Sequence, residues 1–155
     1  MQALVDAGVA HAVHEYDPAA GGDLGYGVDA AHQLGLDEAQ VFKTLVIALD
    51  GDERRLAVVV APATGEVDLR AAAGALGAKK ATLADQTRAE RTTGYVAGGI
   101  SPFGQRKALP TVLDESSVLF DTIFVSGGRR GLELEVAPDD LVAVLDAAVA
   151  EVARP

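Results

Sequence analysis

Two β-rich runs, residues 44–49 and 56–61, flank Asp50-Gly51-Asp52, and this pattern predicts a hairpin as the best-defined element of the chain. Pro62 closes the second run. Upstream, a weak helical start precedes a strand at about residues 10–16, then a loop rich in Gly, Asp and Pro over 17–27. Residues 28–34 read as a helix closed by Gly35. Asp68 caps a helix reaching Leu76 and stopped by Gly77, residues 79–83 form a short strand, and Asp85 opens a helix that ends at Gly94. Residues 95–104 carry no period long enough for an ordinary element. Strands follow at 111–113, 122–126 and 132–136. Pro138 then starts a final helix with Leu141, Val144, Leu145, Ala148, Val149 and Val152 on one face. Hairpins mixed with single helices, without a regular βαβ rhythm, indicate an α+β fold.

Side chains on a strand alternate faces, so Lys43, heading the first run, shares a face with Leu45, Ile47 and Leu49. An ammonium on a core-bearing face costs free energy unless a partner or ligand holds it. It is either a strand-end lysine that snorkels to water or a cation set at a binding cleft.

With 155 residues and 49% hydrophobic content, positions 1–155 fit one domain. No run of about 18 apolar residues offers a membrane span, and the first residues lack a signal-peptide layout, so the expected location is the cytoplasm. The chain has no cysteine, which excludes a disulfide frame, a thiolate metal site and a cysteine nucleophile. His11, His14 and His32 lack the spacing of a metal site and read as structural or surface groups; no cofactor is expected. A net charge of −10 argues against general nucleic-acid binding. Small basic groups (Lys79-Lys80, Arg88 with Arg91, Arg106-Lys107, Arg129-Arg130) leave open either a local basic mouth or a solvated mixed-charge surface.

There is no Gly-x-Ser-x-Gly elbow, Walker loop or dinucleotide fingerprint. Ser101 and Ser126 have no histidine in the same half of the chain to act as a base. What remains suits a site built from backbone. Gly98-Gly99-Ile100-Ser101-Pro102 offers N–H groups to a carbonyl oxygen or developing oxyanion, with Pro102 stiffening the loop. Lys43 supplies a point charge, and Tyr16 a hydroxyl at a strand end. The same glycine run also reads as a tight turn between elements.

Taken together, Phe42-Lys43-Thr44-Leu45, Leu76-Gly77-Ala78-Lys79-Lys80, Thr93-Gly94-Tyr95, the run from Gly98 through Gln105, and Val125-Ser126-Gly127-Gly128-Arg129-Arg130-Gly131-Leu132 resemble the YbaK family in order and spacing. That family comprises free-standing aminoacyl-tRNA deacylases related to the editing domain of bacterial prolyl-tRNA synthetases. The resemblance implies a mixed, partly barrel-like sheet surrounded by helices. It places Lys43 and the amides of Gly98, Gly99, Ile100 and Ser101 at the reacting ester. It places Tyr16, Phe42, Thr44, Pro102, Ser126, Gly127, Gly128 and Arg130 around the substrate. Glu133 falls where relatives often carry aspartate, and its role there carries little weight.

The resemblance further implies removal of cysteine from mischarged Cys-tRNA(Pro), and also from Cys-tRNA(Cys). In such enzymes the substrate thiol attacks its own ester, giving a thiolactone and free tRNA. The implied partners are the acceptor end of an aminoacyl-tRNA, gripped by a basic rim of Arg129, Arg130, Lys79 and Lys80, and a transient prolyl-tRNA synthetase complex. Two alternatives remain at this level: a deacylase for another small aminoacyl group, such as Ala-tRNA(Pro), and a non-catalytic binder of aminoacyl-tRNA or amino acid.

Overall fold

The computed structural model describes residues 2–17 and 26–154. Helix α1 (Gln2–Asp6) leads into β1 (His11–Glu15), and α2 (Tyr26–Leu34) ends at Gly35 with φ of 68°. The expected loop over 17–27 lies mostly outside the described residues. After a 3-10 turn (Glu38–Gln40) come β2 (Phe42–Leu49) and β3 (Leu56–Pro62), then β4 (Glu66–Val67), α3 (Leu69–Ala75), β5 (Ala81–Leu83) and α4 (Gln86–Thr93). The second half contains β6 (Thr111–Asp114), a 3-10 turn (Glu115–Leu119), β7 (Ile123–Ser126), β8 (Leu132–Val136), α5 (Pro138–Leu145), β9 (Ala148–Ala150) and β10 (Ala153–Arg154).

The hairpin is the centre of the molecule. β2 and β3 pair antiparallel, and Asp50 and Gly51 both take positive φ at their turn. The strands read as nearly continuous apolar runs because both faces of the sheet are covered. The five-stranded sheet runs β5-β2-β3-β6-β9, with β6 and β9 parallel to their neighbours. An antiparallel sheet, β1-β8-β7, meets the head of β2 through one bridge, Val41 to Phe124. Phe42, Val58, Val60 and Leu113 of the larger sheet pack with Ile123, Val125, Leu134 and Val136 of the smaller, beside Phe103 and Leu141. On the opposite face, Ile47, Val59, Ala61 and Val112 pack beneath Ala72 and Ala73 of α3. This is the expected mixed α+β architecture, with sheets that wrap a shared core and stop short of a closed barrel.

The sequence-predicted helix ends hold. Asp68 accepts from the Ala71 amide, Asp85 from the Arg88 amide, and Gly94 closes α4 in the left-handed region. Residues 79–83 narrow to β5.

The C-terminus departs from expectation. The last helix stops at Leu145, where Asp146 turns to φ 51° and its amide bonds the Val142 carbonyl. Residues 148–150 then pair parallel with β6, and Ala153–Arg154 pairs with β4. The Ala/Val pattern beyond Leu145 satisfies strand alternation as well as helical spacing, and long-range hydrogen bonds decide between them. Asp114, 2% exposed, accepts the amides of Val152 at 2.9 Å and Ala153 at 3.0 Å on one oxygen. Its other oxygen accepts the Ser116 amide at 3.1 Å.

Replacing Asp114 by alanine strands those buried donors. The expected loss is about 3 kcal/mol, given roughly 1–3 kcal/mol for one unsatisfied buried group. Urea unfolding measures it, and hydrogen exchange should show residues 148–154 losing protection first. An unchanged urea midpoint would refute this account of the C-terminus.

Candidate functional site

Strand β5 pairs only with Ile47, Ala48 and Leu49 at the far end of β2, whereas β7 touches its head at Val41. Between them, the β2 edge at residues 42–45 has no strand partner among the described residues. The Leu49 amide donates to the Arg55 carbonyl across the hairpin, and the Val46 carbonyl accepts the Ala84 amide on the other side. Strand alternation therefore turns the peptide groups of Thr44 toward the open edge.

Lys43 lies on the face that carries Val41 and Ile47. Ala31 of α2 packs with Val41 and Phe124, and α3 covers Ile47. Lys43 and Leu45, both half-buried, fall in the gap between these clusters. The Lys43 Nζ donates to the Gly65 carbonyl at 3.0 Å. Partial burial pulls its pKa below the ordinary lysine value, and the nearby Glu66 carboxylate opposes that shift. Lys43 is therefore a partnered cation at the rim of a gap. Thr44 points to the other face, where its Oγ1 is buried without a partner. Phe42, 2% exposed, belongs to the core and lines no accessible surface.

The 98–102 loop is braced at several points. The Ala97 amide donates to Glu90 at 2.7 Å, and the Gly99 amide to the Val96 carbonyl at 2.9 Å. Ser101 is fully buried, its Oγ accepting the Phe103 amide and its carbonyl accepting Gln105 Nε2. Tyr95 donates its hydroxyl to the Phe103 carbonyl. Pro102 is buried behind the turn, and Ile100 packs against the cluster of Val46, Ala48, Leu56 and Ala89. The turn reading of this run is thus correct for Gly99, whose N–H is occupied. The amides of Gly98, Ile100 and Ser101 donate to no group among the described residues.

Glycines allow this loop to meet the β7–β8 turn. A Cβ on Gly99 would lie 2.7 Å from the Arg129 Cα, and one on Gly128 2.9 Å from the Tyr95 ring. Gly127 sits as tightly against Leu132. Three separate sequence motifs therefore converge here. Ser126, whose Oγ accepts the Gly128 amide, stands directly across from Glu133 in the β7–β8 register. Glu133 is 6% exposed, with one oxygen unpartnered, and desolvation pushes its pKa up to about 8. It is a neutral carboxylic acid at pH 7. The backbone of Tyr16 bonds the Gly131 carbonyl. Burial raises its phenol pKa; the Gly131 amide draws it back, Glu133 and Asp29 add to the rise, and Arg130 opposes it.

Tyr16, Ser126, Glu133 and the 98–102 loop thus gather around one turn. Lys43 approaches from β2, two residues beyond the bridge to Phe124 just as Ser126 is two residues beyond Phe124 itself. Lys79 and Lys80 do not join them, for their amides bind Asp50 at the far end of the hairpin. The braces Tyr95, Phe103 and Gln105 had no assigned role at the sequence level, although all three stand inside the quoted motifs. The histidines are structural, His14 bonding Glu135 and His32 bonding Glu38. No group of side chains suited to a metal occurs among the described residues.

Two outcomes follow from this geometry. Gly99→Ala should cost roughly 1–3 kcal/mol by overpacking, since backbone, not a flexible side chain, stands in the way. Urea midpoints within error of the parent would show that the loops do not pack this closely. Glu133 binds a proton in the folded state up to about pH 8 and in the unfolded chain only near its ordinary value. Its folded pKa is raised, so stability falls as pH rises between about 5 and 8, by up to about 1.4 kcal/mol per unit. Relative to the parent, Glu133→Gln should gain stability over that window. Parallel pH profiles for the two proteins would refute it.

Residues 27–144 match the family model of the aminoacyl-tRNA editing domain. An Enterococcus faecalis protein bearing the provisional name Cys-tRNA(Pro)/Cys-tRNA(Cys) deacylase EbsC is 38% identical over 122 residues, 79% of this chain and 73% of its own length. Among solved structures, one described provisionally as a trans-editing enzyme for prolyl tRNA synthetase superposes with a TM-score of 0.85 at 23% identity, covering 99% of this chain and 94% of its own. A scaffold used for computational epitope grafting gives a TM-score of 0.84 at 24% identity over 99% of this chain and 94% of its own. The two structural likenesses speak to fold. The family model and the EbsC relative go further: the chain belongs to the aminoacyl-tRNA editing domain family.

Proposed function

We propose that this aminoacyl-tRNA deacylase is a cytoplasmic trans-editing enzyme that clears cysteine from mischarged Cys-tRNA(Pro), and from Cys-tRNA(Cys) as well. The provisional name of the 38% identical relative supports this substrate class. The observation that carries the mechanism is the pair of unbonded, partly exposed amides, Gly98 and Ile100, on a loop locked by backbone packing against Arg129. Donors fixed in advance stabilise an oxyanion without reorganising during the reaction.

In this reading the ester carbonyl of the aminoacyl group sits against the Gly98 and Ile100 amides. The cysteinyl sulfur attacks that carbonyl carbon, the C–S bond forms, and the ester C–O bond breaks. The ribose oxygen leaves with the thiol proton, giving a thiolactone and free tRNA. The enzyme supplies no nucleophile, which fits a chain without cysteine whose Ser101 is fully buried and hydrogen-bonded. Holding thiol and ester in a reactive pose contributes up to about 7–11 kcal/mol. Each oxyanion donor adds roughly 3 kcal/mol.

Lys43 exchanges the Gly65 carbonyl for the phosphate or ribose of the terminal adenosine. The Thr44 peptide groups and the Tyr16 and Ser126 hydroxyls hold the aminoacyl group, and Arg130 borders the same turn. Protonated Glu133 is a neutral neighbour that adds no negative charge beside the thiol. A transient complex with prolyl-tRNA synthetase supplies the choice of tRNA.

The test is loss of the aminoacyl group from Cys-, Ala- and Pro-tRNA(Pro) incubated with purified protein. Cys-tRNA is cleared fastest, and Lys43→Ala slows its clearance at least tenfold, about 1.4 kcal/mol. Parent-like activity in that variant would remove Lys43 from the site. Ser-tRNA(Pro), whose hydroxyl is a poorer internal nucleophile, should react far more slowly. Equal rates on the Cys and Ser substrates would rule out thiol self-attack.

A further inference from the structure

At the opposite end of β2 lies a second concavity, a cleft of about 480 Å³ lined by Arg54 and Arg55 of the hairpin turn, Arg88 and Thr92 of α4, and Lys107. Glu53 is the one carboxylate among its lining residues, and it accepts the Asp85 amide at 3.2 Å. Arg54 pairs with Asp52 and Arg55 with Asp50 on the rim. The side chains of Arg88 and Lys107 have no partner among the described residues.

The surroundings reinforce the charge. Lys79 and Lys80 adjoin through Asp50, and Arg91 and Arg106 lie on and beside α4, where Arg106 donates to the Arg91 carbonyl. With the four cations of the cleft, this end holds eight of the chain's thirteen lysines and arginines. They face five carboxylates: Asp50, Asp52, Glu53, Asp85 and Glu90. The local surplus is therefore three positive charges on a chain of net −10, and the rest carries −13. Such segregation attracts a polyanion to one end and repels it from the other.

Six residue steps along the strand lead from Lys43 to Leu49 at the cleft wall, which at about 3.4 Å per step is roughly 20 Å. That separation exceeds the Debye length of about 8 Å at physiological salt, so cleft cations give little help to a ligand confined to the Lys43 site. A ligand using both must itself span the distance and carry charge along it. A duplex RNA stem does so, because its phosphates recur along the whole length.

We propose that this cleft is a docking site for the phosphate backbone of the same RNA whose terminal ester reaches the 98–102 loop. The identification of RNA as the ligand rests on the deacylase reading above. The cleft contacts phosphates, which fix orientation without reading sequence. Arg88 and Lys107 are its positioning residues; they touch no reacting atom.

Fluorescence anisotropy with an uncharged RNA hairpin ending in CCA, titrated from 50 to 200 mM KCl, tests this. Arg88→Glu combined with Lys107→Glu should weaken binding at least tenfold at 100 mM salt. It should also flatten the dependence of log affinity on log salt by about 1–2. Arg54→Glu, at a well-exposed side chain, should weaken binding in the same direction, whereas Arg88→Lys should keep most of the affinity. On Cys-tRNA, the double variant should raise KM and leave kcat unchanged. Parent-like affinity and salt slope in the double variant would overturn the proposal. So would displacement of the hairpin by inorganic phosphate beyond what chloride achieves at equal ionic strength, since that would indicate a small-anion pocket. If the parent deacylates no aminoacyl-tRNA yet binds the hairpin through Arg88 and Lys107, the deacylase reading fails and the docking site stands.

Discussion

The close approach of Gly99 to the Arg129 backbone is the constraint on which the candidate site depends. Two loops far apart in sequence meet with no side chain between them, and a single methyl group would force them apart. Because the contact is backbone to backbone, neither loop can relax by changing rotamer. The bracing by Glu90, Tyr95 and Gln105 holds the loop on the same line. The result is a rigid wall with unbonded N–H groups, built from residues that contribute almost no chemistry of their own. Preorganisation of this kind is what a reaction needs when the substrate brings its own nucleophile.

Electrostatics divide the molecule along β2. One end presents Tyr16, Ser126 and a protonated Glu133 around a single turn, with Lys43 at the head of the strand. The other gathers cations on a hairpin turn and a short helix. The acidic remainder repels nucleic acid, so one ligand serves both the candidate site and the proposed docking cleft only if it reaches from end to end. The central strand is the ruler between them.

Much of this was legible in the sequence because it is written in local rules. Asp50-Gly51 marks the hairpin, Asp68 and Asp85 cap their helices, and Gly94 ends one. The spaced glycines of the site also stood out. The C-terminal strands were not legible. Alanine and valine beyond Leu145 fit a helical face as well as an extended edge, and the deciding group, Asp114, lies over thirty residues earlier. The two basic candidates Lys79 and Lys80 were separated from Arg129 and Arg130 by the same kind of distant contact, through Asp50. Phe42 shows the opposite limit. Its motif pointed to the substrate, but strand parity sends its ring into the core.

The sheet pairings carry a consequence for how the chain reaches this state. β1 pairs with β8 and β4 with β10, so the first and last strands of the fold are each fastened to partners most of the chain away. Closing such long loops precedes any reward from the contacts they make, which slows folding relative to a hairpin-only topology. During synthesis, the β2–β3 ribbon emerges with its β6 edge and its α3 face still uncovered. Until α3 and then β6 follow, that ribbon presents a bare apolar face and an unpaired strand edge to neighbouring nascent chains.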